Sequence, residues 1–224
     1  MNRFLIVALG AAAGVAAFAA YRRQGGGVAV SAIENAFSGG VDYMQGAAGG
    51  LADAFGFWRV SNMASVDKSL VSNRNVRAVL AVIRRGEGTA GADGYRTLYG
   101  GGTFASFADH PRQAVTKWGR TSTAAGAYQF LSSVWDETRQ KMGLVDFSPA
   151  SQDLAALGRI AARGVLADVL AGRLESAISG NGGRGHGLRW EWASLPGSPY
   201  GQGTISIATA QSVFGSAGGS AVYA

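Results

Sequence analysis

The first hydrophobic pattern along the chain is an unbroken run. Residues 4–21 read FLIVALGAAAGVAAFAAY, eighteen positions without a charge, with Arg3 before them and Arg22-Arg23 behind. A helix that crosses the hydrocarbon core needs about 20 apolar residues, with a lower limit of about 17, so residues 1–23 are expected to form a membrane-anchoring helix. Two other readings stay open. One is a signal peptide cut at the A-x-A-like Ala17-Phe18-Ala19, although two arginines directly after the site are poor flanks; the other is a buried soluble helix. Positive charge at both ends gives no orientation. Residues 24–72 then carry repeated glycines (25–27, 39–40, 49–50) and sparse charge, the pattern of a Gly/Ala-rich tether with short helical pieces. The sharper alternative places Phe55, Phe57 and Trp58 at a membrane surface.

Helix-period spacing takes over at about residue 73. Asn73-Arg74-Asn75 is a helix start, and Val76, Val79, Leu80 and Ile83 follow at i, i+3, i+4, i+7. This helix runs into Gly86-Glu87-Gly88-Thr89. The stretches YRTLY (95–99) and TFASF (103–107) suggest the strands of a small hairpin. Ala124–Leu131 and Ser132–Met142 read as helical, with Trp135 on the apolar face. Ser148-Pro149 opens a helix over Pro149–Gly158, and Arg159–Leu170 and Leu174–Ile178 read as further helices. A last helix precedes a tail at 216–224. The pattern predicts one mainly α domain (α+β, with a minor hairpin) over 73–215, long enough to bury a core.

Composition narrows the chemistry. The chain has no cysteine, which excludes disulfides, thiolate metal sites and a cysteine nucleophile. Two histidines leave little for a His-rich metal site, and no metal or organic cofactor is expected. Lysine and arginine total 20 against 14 acidic residues, a net charge of +6. With only 15% charged residues and 35 glycines, such a balance suits an anionic polymer or membrane as partner. Scattered arginines with no basic-aromatic stripe argue against nucleic acid.

The candidate chemistry centres on Glu87. It ends an apolar helix, where cations rather than carboxylates are favoured, and it stands between two glycines that let a ligand approach the backbone. Partial desolvation there would raise its pKa toward the working pH of a general acid. A plain surface glutamate in a turn is the competing reading of this residue alone. Other motifs join it: Ser122-Thr123-Ala124-Ala125-Gly126-Ala127-Tyr128-Gln129-Phe130, Asp109-His110-Pro111-Arg112, Asp146-Phe147-Ser148-Pro149 with Ser151-Gln152-Asp153, and Trp192-Ala193-Ser194-Leu195-Pro196-Gly197 with Tyr200-Gly201-Gln202.

This ordered set, over residues 74–215, resembles the endolysin family of bacteriophage lambda, lytic transglycosylases that degrade peptidoglycan. The resemblance implies a small lysozyme-like, mostly helical fold with a glycan cleft, and Glu87 as the catalytic acid. It also implies Ser122, Thr123, Gly126, Tyr128 and Gln129 as substrate-binding positions. It departs from the family at Ala127, where a larger polar residue is expected, and at the Gly/Arg-rich run NGGRGHGLRW (181–190). The expected reaction cleaves the bond between N-acetylmuramic acid and N-acetylglucosamine to leave 1,6-anhydromuramyl ends. A hydrolysing muramidase with Asp93 as a second carboxylate is the alternative, and a non-catalytic wall-binding virion protein is another.

The remaining polar residues have plainer readings. Asp109 pairs with Arg112, Asp146 is a turn or cap residue, and Asp153 and Glu175 are helix-surface or capping charges. His110 is structural and His186 solvated; Trp118, Trp135, Trp190 and Trp192 divide between core and cleft, with Trp135 core and Trp190 and Trp192 open. The whole-chain expectation is a membrane-anchored phage enzyme, in a virion membrane or the host inner membrane, with its domain facing the cell wall. Its partners are peptidoglycan glycan strands, a lipid bilayer through residues 4–21 and other virion proteins. It would act in host lysis or in opening the wall for genome delivery.

Overall fold

The computed structural model describes residues 63–180 and 187–222. The expected membrane helix at 4–21, the tether up to residue 62 and His186 lie outside the described residues. Among the described residues no helix is long and apolar enough to cross a membrane. A 3-10 turn (Lys68–Ser72) leads into α1 (Arg74–Gly86). Two further 3-10 turns (Gly94–Arg96 and Tyr99–Gly101) precede β1 (Val115–Lys117) and β2 (Arg120–Ser122). Then come α2 (Ser132–Met142), α3 (Pro149–Ala162), α4 (Leu166–Leu170), α5 (Leu174–Ser179), a 3-10 turn (Leu188–Trp190) and α6 (Ile207–Ser216).

The central helix α1 starts where its cap dictates. Asn73 Oδ1 accepts from the backbone N–H groups of Asn75 (2.9 Å) and Val76 (3.3 Å), two of the donors a helix start leaves without intrahelical partners. Val76, Val79, Leu80 and Ile83 are buried as their spacing predicts, and so are Ala78 and Val82. The burial is wider than one stripe because α1 packs against α6, α4, α3 and the Lys68–Ser72 turn, which leaves only the side of Arg74, Arg77 and Arg85 exposed. Ser148 caps α3 by accepting from Ser151 N–H (3.3 Å), with Pro149 at the first helical position, where a missing N–H loses nothing. Gly143, left-handed at φ 62°, closes α2. The aromatic heart of the core is Trp135 edge-on to Phe147 at 4.7 Å, with Phe104, Phe130 and His110 around them.

Several expected boundaries move. The hairpin is Val115–Lys117 against Arg120–Ser122, paired Val115↔Ser122, Thr116↔Thr121 and Lys117↔Arg120. Its two-residue connection, Trp118-Gly119, has positive φ at both positions (50° and 72°), the twist that matches a right-handed ribbon. YRTLY and TFASF form no strands. They meet in a single bridge, Thr97↔Thr103, and Leu98 makes a second with Ala125; the chain otherwise curls because Gly100 and Gly101 take φ 80° and 96°. Ala124–Leu131 is not helical either. Ala125 exchanges both backbone hydrogen bonds with Phe130, and Gly126 N–H donates to Thr97 O (2.8 Å), so its amides are used across the chain rather than along it. Arg159–Leu170 is split: α3 runs to Ala162, Gly164 turns at φ 72°, and α4 follows.

Both edges of the domain extend beyond the sequence expectation. Met63, from the stretch assigned to the tether, is buried, and Lys68 Nζ donates to Met142 O (2.7 Å). At the other edge, Arg74 Nε donates to Gly218 O (2.9 Å) and Ser220 N–H to Asn75 Oδ1 (2.8 Å). Val222 N–H reaches Gly172 O (3.1 Å). The expected tail is thus bonded to the start of α1.

Candidate active site

Glu87 stands at the last turn of α1, still helical at φ −72°. Gly88 then reverses the chain at φ 74°. The next residue, Thr89, is buried, and its Oγ1 lies 2.5 Å from Ala127 O. That bond fastens the Glu87 turn to the loop at 124–130. From the other side Ser194 Oγ donates to Glu87 Oε1 at 2.6 Å. Gly86 makes this approach possible, because a Cβ there would sit 2.6 Å from Ser194 Oγ. The Ser194 segment is itself held in place: Trp192 Nε1 donates to Tyr128 O (3.2 Å), and Ile205 N–H to Ser194 O (2.9 Å). Two of the segments singled out in the sequence therefore meet at the carboxyl group, and the third, the loop at 124–130, is bonded to both of them.

Glu87 keeps partial exposure, yet protein surrounds its carboxyl on most sides. Burial pushes its pKa up from 4.5 to about 7, and the Ser194 hydrogen bond pulls the other way. Burial disfavours the charged form, while a donor favours it. The outcome is a carboxyl that is half protonated at neutral pH, able to give a proton and to take one back.

The other predicted binding residues build the neighbouring loop. Ser122 is buried, and its Oγ accepts from Ala124 N–H (3.1 Å). Thr123 Oγ1 lies 3.2 Å from Ser132 Oγ. Gly126, at φ 78°, leaves room that a Cβ would fill, 2.3 Å from Gln152 Oε1. Tyr128 is only 1% exposed and donates its hydroxyl to Asp153 Oδ1 at 2.5 Å. Gln129, left-handed at φ 47°, donates to Gly126 O (2.9 Å) and Thr97 O (3.2 Å). These side chains spend their polar groups within the protein and fix the shape of the loop that Thr89 grips.

Sequence reasoning passed over four residues that matter here. Ser194 lay inside a quoted motif, but nothing local marks it as the partner of Glu87. Gln152 is fully buried and clamps the loop, accepting from Ala127 N–H (2.8 Å) and donating to Tyr95 O (3.0 Å) and Phe147 O (2.8 Å). Asp153 is no surface charge. It accepts from Tyr95 (2.8 Å) and Tyr128, and burial pushes its pKa up. Glu191 is buried between Arg159 (2.6 Å) and Arg163, and although burial opposes it, the two guanidinium groups hold its pKa at about 2.

Other readings land where the sequence put them. Asp109 pairs with Arg112 at 3.1 Å. Asp146 accepts from Ser148 N–H and Ser151 Oγ. Glu175 accepts from Gln211. His110 is buried, with Nε2 facing Phe130 O (2.8 Å) and Nδ1 accepting from Arg112 N–H (3.0 Å), a structural role. Trp135 and Trp192 are core. Trp190 is half-buried, edge-on to Tyr200. Among the described residues no three acidic or histidine side chains cluster to hold a metal ion.

A small helical domain with a short hairpin and one protonatable carboxyl at a helix end has the form of a phage lysozyme. The fold superposes on the lysozyme of bacteriophage lambda in complex with a chitohexasaccharide, at TM-score 0.61 and 37% identity over 67% of this chain and 97% of that one. A second structure of bacteriophage lambda lysozyme gives 0.57 and 38% over the same shares. The endolysin of Escherichia phage lambda is 41% identical over 137 residues, 58% of this chain and 82% of that protein. The endolysin of Escherichia phage P2 is 37% identical over 164 residues, 66% and 95% respectively. The Endolysin family model matches residues 77–221, and the chain belongs to that family.

Proposed function

We propose that this endolysin is a peptidoglycan lytic transglycosylase with Glu87 as its acid and base. The observation that carries the reading is the single carboxyl at the meeting of the Glu87 and Ser194 segments, its pKa raised to about 7. A hydrolysing glycosidase normally needs a second carboxylate about 5–5.5 Å or about 6.5–9.5 Å away. Asp109, Asp136, Glu137, Asp168 and Glu191 are engaged in ion pairs, and Asp153 in its two tyrosine bonds. Asp93 is exposed on the following loop and is the residue a hydrolase would use.

The one-carboxyl route balances without water. Glu87 donates its proton to the glycosidic oxygen as the bond to the muramyl C1 breaks. The resulting carboxylate takes the proton of the muramyl C6 hydroxyl as that oxygen attacks C1. A 1,6-anhydro ring forms and Glu87 is protonated again. The nucleophile belongs to the substrate, so it is delivered at high effective concentration. Relatives named endolysins support a role in host lysis, and the chitohexasaccharide held by lambda lysozyme supports an extended glycan strand as substrate. Residues 4–21 support a membrane anchor through their eighteen uncharged positions.

Mass spectrometry of purified sacculi digested by the full chain tests the reaction. Anhydromuramyl products that disappear with Glu87→Gln support it; reducing ends would place water as nucleophile and redirect attention to Asp93. Deleting residues 4–21 should release the enzyme from sedimented host membranes. Retention of the deletion protein would overturn the anchor.

A further inference from the structure

The tip of the hairpin carries a tryptophan that is left mostly in solvent. Trp118 is 76% exposed, a large apolar surface left in water. It is also left-handed, φ 50°, at a turn position that favours asparagine, aspartate or glycine. A bulky side chain there is an outlier of the kind that gathers at functional sites. Exposure and backbone strain both disfavour this residue, and they are independent of each other.

The ring is nonetheless oriented. Tyr99 meets it edge-on at 5.8 Å, and Lys117 Nζ lies 5.3 Å from its centre. Lys117 is in turn bonded to Gly100 O, which joins the hairpin to the 3-10 turn carrying Tyr99. Arg120, paired with Lys117 across the ribbon, is exposed. The strand that leaves the tip, Arg120–Ser122, leads within five residues to Ala127, whose carbonyl Thr89 grips two residues from Glu87. The hairpin is thus joined to the Glu87 turn through the Thr89–Ala127 hydrogen bond.

We propose that Trp118 is a glycan-stacking platform at which the hairpin holds a peptidoglycan strand during cleavage at Glu87. A pyranose presents a face of C–H bonds that carry slight positive charge. The electron-rich face of an indole attracts such a surface while also removing apolar area from water. Lys117 lies over one face of the ring and leaves the other for the sugar, and the positive charge of Lys117 and the exposed Arg120 suits the free carboxylates of the peptide stems. The inference rests on the glycan-cleaving function proposed above and extends it to a second contact.

Trp118→Asn separates binding from folding, because asparagine suits the left-handed turn position. The full chain with Trp118→Asn should melt no lower than the parent, keep its kcat on purified sacculi, and show a KM raised about five- to tenfold. Trp118→Tyr should recover most of the loss. In a Glu87→Gln background, Trp118→Asn should also weaken co-sedimentation with sacculi, a readout that needs no turnover. Unchanged KM and unchanged sedimentation would overturn the platform, and so would a fall in kcat at constant KM. Loss of binding to phosphatidylglycerol vesicles with sacculus binding intact would overturn it in favour of a lipid contact. Failure of every form to release glycan fragments would instead defeat the proposed function, while sedimentation would still report on Trp118.

Discussion

At the scale of single residues, a carboxyl titrating at about 7 has consequences for rate and for stability. Activity should decline as pH rises through about 7, as the acid loses the proton it must donate, and Glu87→Gln should lower kcat by about 100-fold to 10,000-fold. Because the folded pKa lies above the ordinary 4.5, the native state holds its proton more tightly than the unfolded chain does. Stability from this group is complete below pH 4.5 and is lost as pH rises through 7. Glu87→Gln should therefore stabilise the protein at pH 8 relative to pH 4, by at most about 3 kcal/mol at about 1.36 kcal/mol per pH unit, measured by urea unfolding at both pH values. Ser194→Ala removes the donor that favours the charged form and should move the alkaline limb of the rate profile upward by about one pH unit; a downward shift would refute the role given to Ser194. Glu87 was legible in the chain because a carboxylate between two glycines at a helix end is locally odd. Ser194, 107 residues away, carries no local sign of its task.

At the scale of elements, helices followed from spacing and caps, and the irregular pieces did not. Asn73 and Ser148-Pro149 mark the starts of α1 and α3, whose side chains and backbone obey the same 3.6-residue period. Ala124–Leu131 has helix-forming composition, but its backbone bonds go to Phe130 and Thr97, and Gly126 is left-handed with a buried glutamine where a Cβ would sit. A long-range packing demand overrides propensity there. Gly126→Ala should accordingly cost about 3 kcal/mol, by combining a positive-φ alanine with a clash against Gln152 and Phe147; chemical denaturation reads this directly. Ser148→Ala should cost about 1 kcal/mol. The hairpin lies downstream of the two aromatic stretches, because these send Leu98 and Phe104 into the core, while the exposed Trp118-Gly119 step makes the turn.

At the scale of the whole molecule, the buried Arg159–Glu191–Arg163 group ties α3 to the segment that leads to Ser194. A glutamate between two tryptophans reads locally as a turn residue, so this network was invisible in the sequence. Its lowered pKa means stability present above pH 4.5 and lost as pH falls through about 2. Glu191→Gln leaves two buried arginines underpaired and should cost about 3–5 kcal/mol, seen as a fall in melting temperature at neutral pH. The clasp of Gly218, Ser220 and Val222 on the first turn of α1 and on Gly172 has a different meaning. Glu87 lies at the opposite end of that helix, about 18 Å from Asn75 at 1.5 Å per residue. The domain thus has a handle, where residues 218–222 close on the start of α1, and a blade at Glu87. A folded carrier protein appended after Ala224, or a surface linkage introduced at Arg74, should leave kcat/KM on sacculi within about twofold of the free enzyme, and a tenfold loss would show that cargo at the handle reaches the blade.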